Sequence, residues 1–162
     1  LMADDIRWGN LNLPEVSVDP ESRRNLLFVK QAYMRLAEAL VNRNQNDSAI
    51  AVLDRCQEFF PDEKIPYDLY MMAYPEIYYR AGAPEKADEL INKIVDNSMD
   101  NLRYFSELDD QFIPYYTESI RENLAIINEM SNVAAEYNRM ELSKSLENTL
   151  EQEFDKFLGI FN

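Results

Sequence analysis

Residues 35–61 read RLAEALVNRNQNDSAIAVLDRCQEFFP, and this stretch carries the clearest signal for the fold. Apolar residues recur every three or four positions on both sides of a polar run at 42–47. That spacing is typical of amphipathic helices, and the side chains of the polar run favour caps and turns. The stretch therefore predicts two antiparallel helices, the second beginning near Asp47 and ending at Pro61.

The first of these helices has its start signal upstream, in DPES at 19–22. Asp19 is a suitable N-cap, and Pro20 suits the first helical position. The apolar stripe that we expect to face inward consists of Leu26, Val29, Tyr33, Leu36 and Leu40. Residues 1–18 have period-two apolar positions around Pro14, which predicts an extended arm.

A second copy of the hairpin pattern follows at 75–95, PEIYYRAGAPEKADELINKIV. Its Ala87 comes 38 residues after Ala49, and an alanine at this place lets two helices approach closely. Pro75 falls inside the predicted third helix, where we expect a kink. Segment 98–113 predicts a short helix and a loop, and Pro114 predicts the start of a long helix.

These patterns predict an all-α chain with an extended arm at 1–18 and a helical repeat domain at 19–162. The expected hairpins lie at about 20–60, 66–97 and 114–158. The alternative is an irregular helical bundle in which the alanines only fill space.

The first copy resembles the tetratricopeptide (TPR) repeat. It follows the TPR alternation of large and small residues at Leu36, Ala37, Leu40, Ala49, Leu53, Cys56 and Pro61. The second copy keeps Tyr78, Gly82 and Ala87 but departs at Pro75 and Ile94. A third copy, around Ala134 and Ser143, is weak.

In TPR-like stacks the first helix of each pair lines a concave surface. The resemblance therefore implies a partner-binding groove formed by Gln31, Met34, Glu38, Leu69, Met72, Glu76, Tyr79 and Arg80. We expect Met34, Met72 and Tyr79 to be exposed there. The Lys and Asn pattern by which some TPR proteins clamp a peptide carboxylate is absent.

Charge and composition exclude several classes of function. Sixteen basic against thirty acidic residues give a net charge of −14, which repels phosphate backbones and argues against nucleic-acid binding. The chain has no histidine, so the commonest general base and zinc ligand are missing. We therefore expect no catalytic residue, no metal and no cofactor, and no stretch is apolar enough to span a membrane.

For two groups of residues the sequence allows either a packing role or a direct role in catalysis or ligand binding. Cys56 occupies a small inward position of the repeat, which indicates a buried thiol and not a nucleophile. The tyrosine-rich stretch 67–79 is either core or the binding helix of a small carbohydrate- or ligand-binding module.

A more specific likeness appears when the arm is combined with the repeats. IRWGNLNLPEVSVD (6–19), RLAEALVNRNQNDSAIAVLDRCQEFFPDEKIPYD (35–68) and YYRAGAPEKADEL (78–90) together resemble the C-terminal soluble region of a family of bacterial multi-spanning membrane proteins related to protein O-mannosyltransferases. The resemblance implies that any glycosyl transfer belongs to a membrane part outside this chain. It also implies a location on the extracytoplasmic, periplasmic face of the inner membrane.

The sequence thus predicts a non-catalytic TPR-like interaction domain. Its partner would be a protein or peptide, either separate or the membrane domain of the same protein. In the arm, Trp8 is the only tryptophan, and Gly9 beside it permits a close backbone approach. We expect Trp8 and Gly9 to anchor the arm along the first helices.

Overall fold

The computed structural model describes residues 13, 15–109 and 111–160, and within these the fold is all-α with no β-strand. Its α-helices are α1 (Pro20–Val41), α2 (Asn46–Phe59), α3 (Ala73–Arg80), α4 (Pro84–Ser106), α5 (Thr117–Glu136) and α6 (Met140–Lys156). Short 3-10 turns span Leu69–Met71, Ile113–Tyr116 and Leu158–Ile160. The predicted all-α class is confirmed.

The chain divides into two compact units, Leu1–Ala83 with α1 to α3 and Pro84–Asn162 with α4 to α6. The division falls inside the hairpin predicted at 66–97. We call the two parts the N-unit and the C-unit and describe each by itself.

In the N-unit, α1 and α2 form the predicted hairpin. Asp19 caps α1 by accepting hydrogen bonds from the backbone N–H groups of Glu21 and Ser22, both at 3.0 Å. Ala37 on α1 and Ala49 on α2 are completely buried, and α1 packs against α2, as expected of small side chains that let helices approach closely.

Helix α3 packs against both α1 and α2. Near its start, the Tyr74 hydroxyl donates to the Lys30 carbonyl oxygen at 2.6 Å. At its end, Arg80 donates to the side-chain oxygen of Asn42, just past α1, at 2.6 Å. Since early residues of α3 meet the middle of α1 and late residues meet its end, the two helices run side by side in the same direction.

In the C-unit, α5 packs against α4 and α6. Between α4 and α5, the Asn101 amide donates to Asn123 at 3.1 Å. Between α5 and α6, the hydroxyl oxygens of Ser131 and Ser143 lie 3.2 Å apart, and both residues are buried. This serine pair gives α5 and α6 a small-side-chain contact like the one that the alanines give α1 and α2.

Three helix ends share one turn. Asn44, Gly82 and Asn138 have φ angles of 57°, 83° and 61°, the left-handed conformation that commonly terminates a helix. In each turn the next residue, Gln45, Ala83 or Arg139, donates its N–H to a carbonyl five residues back, at 2.9, 2.9 and 2.8 Å. Five residues after each left-handed residue stands a buried small side chain: Ala49, Ala87 and Ser143. The third copy, weak in sequence, therefore has the same turn as the first two.

The predicted face of α1 is partly wrong. Leu36, a member of the predicted stripe, is 51% exposed, whereas Lys30 and Ala37, outside it, are buried. The side of α1 that packs inward therefore passes through Lys30 and Ala37.

Two predictions around prolines and boundaries also need correction. Pro75 does not kink a helix, because α3 begins at Ala73 and Pro75 lies in its first turn, where the missing N–H has no helical acceptor. Helix α4 continues to Ser106 through most of the predicted helix and loop at 98–113, since Leu102 and Phe105 extend its buried face.

Of the predicted arm at 1–18, residues 13 and 15–18 are described, whereas Trp8 and Gly9 lie outside the described residues. Val18 is buried, and the Lys64 ammonium donates to the Val16 carbonyl at 2.9 Å. The end of the arm is thus held against the N-unit. Within the described chain, no helix has the length and apolar character to cross a membrane.

Candidate interaction surface

The residues predicted to form a groove all belong to the N-unit. We call them the α1/α3 surface: Gln31, Met34, Glu38, Leu69, Met72, Glu76, Tyr79 and Arg80. The structure places the elements that carry them in contact, because α1 packs against both α3 and the short turn at Leu69–Met71.

The exposure of these side chains is uneven. Glu38 and Leu69 are exposed, and Gln31, Met34, Met72, Glu76 and Arg80 are partly buried. Tyr79 is only 8% exposed, so the expectation that it faces a partner is wrong. Met34, Leu69 and Met72 remain as the accessible apolar side chains, and methionine suits an adaptable contact.

Arg80 ties the carboxyl ends of the two helices together. Besides its hydrogen bond to Asn42, it approaches the Glu76 carboxylate at 3.6 Å. The guanidinium is therefore already engaged within the protein, and Glu38 is left as an exposed acidic side chain of this surface.

Most tyrosines of the tyrosine-rich stretch lie in the core beneath this surface. Tyr74 and Tyr78 are completely buried. Tyr78 donates to Asp54 at 2.8 Å and accepts from the Gln57 amide at 2.6 Å. Burial raises the pKa of both tyrosine hydroxyls, so they stay protonated. These rings are unavailable to a ligand at the surface, and Tyr70 alone among the tyrosines of the stretch has substantial exposure.

Lys30 is the unexpected member of this core. It is 1% exposed, donates to the Ile65 carbonyl at 3.2 Å and lies 4.7 Å from the centre of the Tyr67 ring. Desolvation lowers the pKa of its ammonium group. Sequence reasoning missed this residue because a lysine in an amphipathic helix ordinarily predicts the exposed face.

Cys56 is completely buried, and its sulfur lies 3.3 Å from the Tyr74 hydroxyl oxygen. Burial raises the pKa of the thiol to about 11. A nucleophilic cysteine needs the opposite shift. The buried packing position predicted for Cys56 is confirmed.

In the C-unit, three exposed aromatic side chains gather where α4 leads into α5. We call Tyr104, Phe112 and Tyr115 the aromatic corner; they are 56%, 47% and 82% exposed. Their exposure is not evident from the sequence, because aromatic residues in a helical chain are ordinarily assigned to the core.

The C-unit also has a cleft of about 330 Å³ at the start of α6, lined by Asp88, Asn138, Arg139, Met140, Glu141 and Leu142. Arg139 and Asp88 form an ion pair within it, with Nε to Oδ1 at 3.1 Å. In the part of the chain that is described, no group of three or more Cys, Asp or Glu residues is placed to hold a metal ion.

No protein-family model matches the sequence, and neither a curated protein nor a solved structure shows significant similarity to it.

Proposed function

We propose that this chain is a non-catalytic, TPR-like protein-interaction domain whose docking site is the α1/α3 surface. The observation that carries the proposal is the parallel arrangement of α1 and α3. In TPR-like repeats, first helices that run in parallel create one continuous surface for a partner. The shared turn geometry at Asn44, Gly82 and Asn138 supports the same architecture.

The chemistry of the surface favours a polypeptide partner. Met34, Leu69 and Met72 offer apolar contact, and Glu38 offers an exposed carboxylate. Interfaces of this kind combine an apolar centre with a polar rim. The buried tyrosines and the protonated, buried Cys56 offer neither a ligand platform nor a nucleophile, so no second function is proposed for them.

Selection of peptides from a random phage-displayed library tests the docking site directly. We expect selected peptides to bind the purified protein and to lose at least about tenfold in affinity when Met34 and Met72 are both changed to Ser. Leu36→Ser is the matched control, because Leu36 is an exposed apolar residue of α1 outside the α1/α3 surface.

Two outcomes would overturn the docking site. One is that selected peptides bind the Met34→Ser, Met72→Ser protein as well as the wild type. The other is a large fall in the thermal midpoint of that variant, because it would mean that the two methionines belong to the core.

We further propose that the domain is the extracytoplasmic tail of a membrane glycosyltransferase-like protein, with its own membrane domain as one partner. This proposal rests on the resemblance of the stretches at 6–19, 35–68 and 78–90. The coding sequence upstream of residue 1 decides it. A run of membrane spans there supports the proposal, and a free-standing secreted chain contradicts it.

A further inference from the structure

The aromatic corner of the C-unit is held in a defined shape. The Phe105 ring stacks on the Tyr116 ring with centroids 5.1 Å apart, and Tyr104 lies against Phe105 at 5.6 Å. The backbone N–H of Phe112 donates to Asp109, and that of Tyr115 donates to Phe112, at 2.8 and 3.0 Å. The exposed rings are therefore presented on a fixed turn.

This exposure brings no benefit to the folded chain alone. Aromatic side chains left in water forgo the roughly 25 cal/mol per Å² that their burial would contribute. Aromatic residues are also the type most enriched at the energetic centres of interfaces. A partner that covers Phe112 and Tyr115 would recover the lost contribution.

The charges around the corner select the kind of partner. The stretch 100–118 has five acidic residues and one arginine. That arginine, Arg103, is paired with Asp100 at 3.0 Å. Glu107 and Asp109 are exposed and have no counter-ion in the described part of the chain. Asp100 and Glu118 are paired with arginines, so the uncompensated negative charge beside the rings is that of Glu107 and Asp109.

We propose that the aromatic corner is a docking site for a basic amphipathic polypeptide segment. Its apolar side chains cover Phe112 and Tyr115, while its lysines or arginines meet Glu107 and Asp109. The charge complementarity steers association and disfavours acidic partners. The negative rim likewise repels anionic lipid surfaces. The site goes beyond the proposed function, because it is a different surface in the other unit and does not depend on the α1/α3 surface.

The test uses a synthetic Leu/Lys amphipathic helix of about 14 residues, roughly four helical turns, titrated calorimetrically into the whole protein. A Leu/Glu peptide of the same pattern is the opposite-charge control. We expect binding of the Leu/Lys peptide only, weakened by added salt. The double variant Phe112→Ser, Tyr115→Ser should lose at least about tenfold in affinity.

Two further variants sharpen the result. Glu107→Lys with Asp109→Lys should weaken the Leu/Lys peptide several-fold while leaving the aromatic rings in place. Phe28→Ser with Leu36→Ser removes an equal number of exposed apolar side chains from the N-unit and should leave the affinity unchanged. Tyr115→Ser alone, at the most exposed ring, serves if the double variant folds poorly.

Several results would overturn the proposal. These are equal binding of the Leu/Glu peptide, unchanged affinity in Tyr115→Ser, or a larger loss in the Phe28, Leu36 control than in the corner variants. Binding of neutral phosphatidylcholine vesicles through Tyr115, with no binding of the peptide, would assign the corner to a membrane surface instead. Because the Phe112, Tyr115, Glu107 and Asp109 variants change the C-unit only, their results are distinguishable from those of the Met34 and Met72 experiment.

Discussion

The N-unit and the C-unit bury charge in opposite ways. In the N-unit, Lys30 is buried with a carbonyl oxygen and an aromatic face as its close contacts. In the C-unit, Glu153 is buried but lies 2.6 Å from the Lys156 ammonium, which is half-exposed. A buried charge without a counter-ion opposes folding, whereas a paired one is largely compensated. The two units therefore depend on their polar residues in different ways, although both join their helices by the same turn.

The largest expected effect tests whether both interiors are tightly packed. Ile127→Ala in the C-unit and Leu53→Ala in the N-unit should each lower the free energy of unfolding by about 3 kcal/mol, since both side chains are completely buried. Urea denaturation measures the loss. Ala125→Ser, at an exposed position of α5, is the control. A loss below about 1 kcal/mol for either core variant would show that its unit is loosely packed.

The next effect concerns the serine pair of the C-unit. Ser131→Leu should destabilise the protein by about 2 kcal/mol, because the larger side chain separates α5 from α6. Ser131→Ala should cost about 1 kcal/mol, since it keeps the small volume and loses only the neutral hydrogen bonding to the carbonyl and hydroxyl of Ser143. If the two substitutions cost the same, the hydroxyl group and not its size is what matters, and the comparison with Ala37 and Ala49 fails.

The buried charges themselves should respond with opposite signs. Lys30→Met should keep or raise the stability, by on the order of 1 kcal/mol, because it removes a charge whose desolvation outweighs its attraction to Asp68 and Asp62. Glu153→Gln should lower the stability by about 1 kcal/mol, because it removes a charge-assisted hydrogen bond. Both are measured at neutral pH by chemical denaturation. Loss of stability in Lys30→Met comparable to that of a cavity would mean that the ammonium supports the N-unit.

The pH dependence of the Lys30→Met comparison has a definite sign. Burial lowers the folded-state pKa of Lys30 below its ordinary value of 10.5, so the unfolded chain binds the proton more tightly. The cost of burying the charge is fully present below the folded pKa and fades as the pH rises toward 10.5. The stability advantage of Lys30→Met should therefore shrink over that window. An advantage that grows with pH would contradict the assigned shift.

The smallest effect tests the turn that the two units share. Asn44→Gly and Asn138→Gly should each raise the free energy of unfolding by less than about 1 kcal/mol, because glycine adopts a positive φ without strain. Gly82→Ala, with φ of 83° and open space around the site, should lower it by about 1 kcal/mol through backbone strain alone. Thermal unfolding resolves the order of the three. A neutral Gly82→Ala would mean that its turn tolerates a different backbone from the other two.

Much of the fold could be predicted because local signals and tertiary packing agree. The structure keeps the predicted cap at Asp19 and the polar turn before Ala49, which are local preferences of the chain. It also buries both Ala49 and Ala87, as their repeat spacing predicts. The weak third copy was harder to recognise because Ser131 and Ser143 are polar by composition but act through their small size.

The site could be predicted less well, because exposure depends on which face a helix turns inward. Tyr79 and Leu36 both satisfy a helical period, yet the first is buried and the second exposed. Neighbouring residues of a helix point in directions that differ by about 100°, so a small rotation of the helix decides whether a side chain is buried or exposed. The pattern of α1 allows more than one inward face. The aromatic corner was missed for the same reason, since nothing local distinguishes Tyr115 from a core tyrosine.

The burial of Cys56 makes local opening of the N-unit measurable by cysteine labelling. The sequence has one thiol, so a cysteine reagent labels the chain at one place. With a thiol pKa of about 11, on the order of one molecule in a thousand would carry a thiolate at pH 8. The closed state is therefore protected both by exclusion of reagent and by chemistry, and alkylation proceeds through transient opening. The labelling rate then measures how often α2 separates from the rest of its unit. The native cysteine serves as the reporter, so no residue has to be introduced.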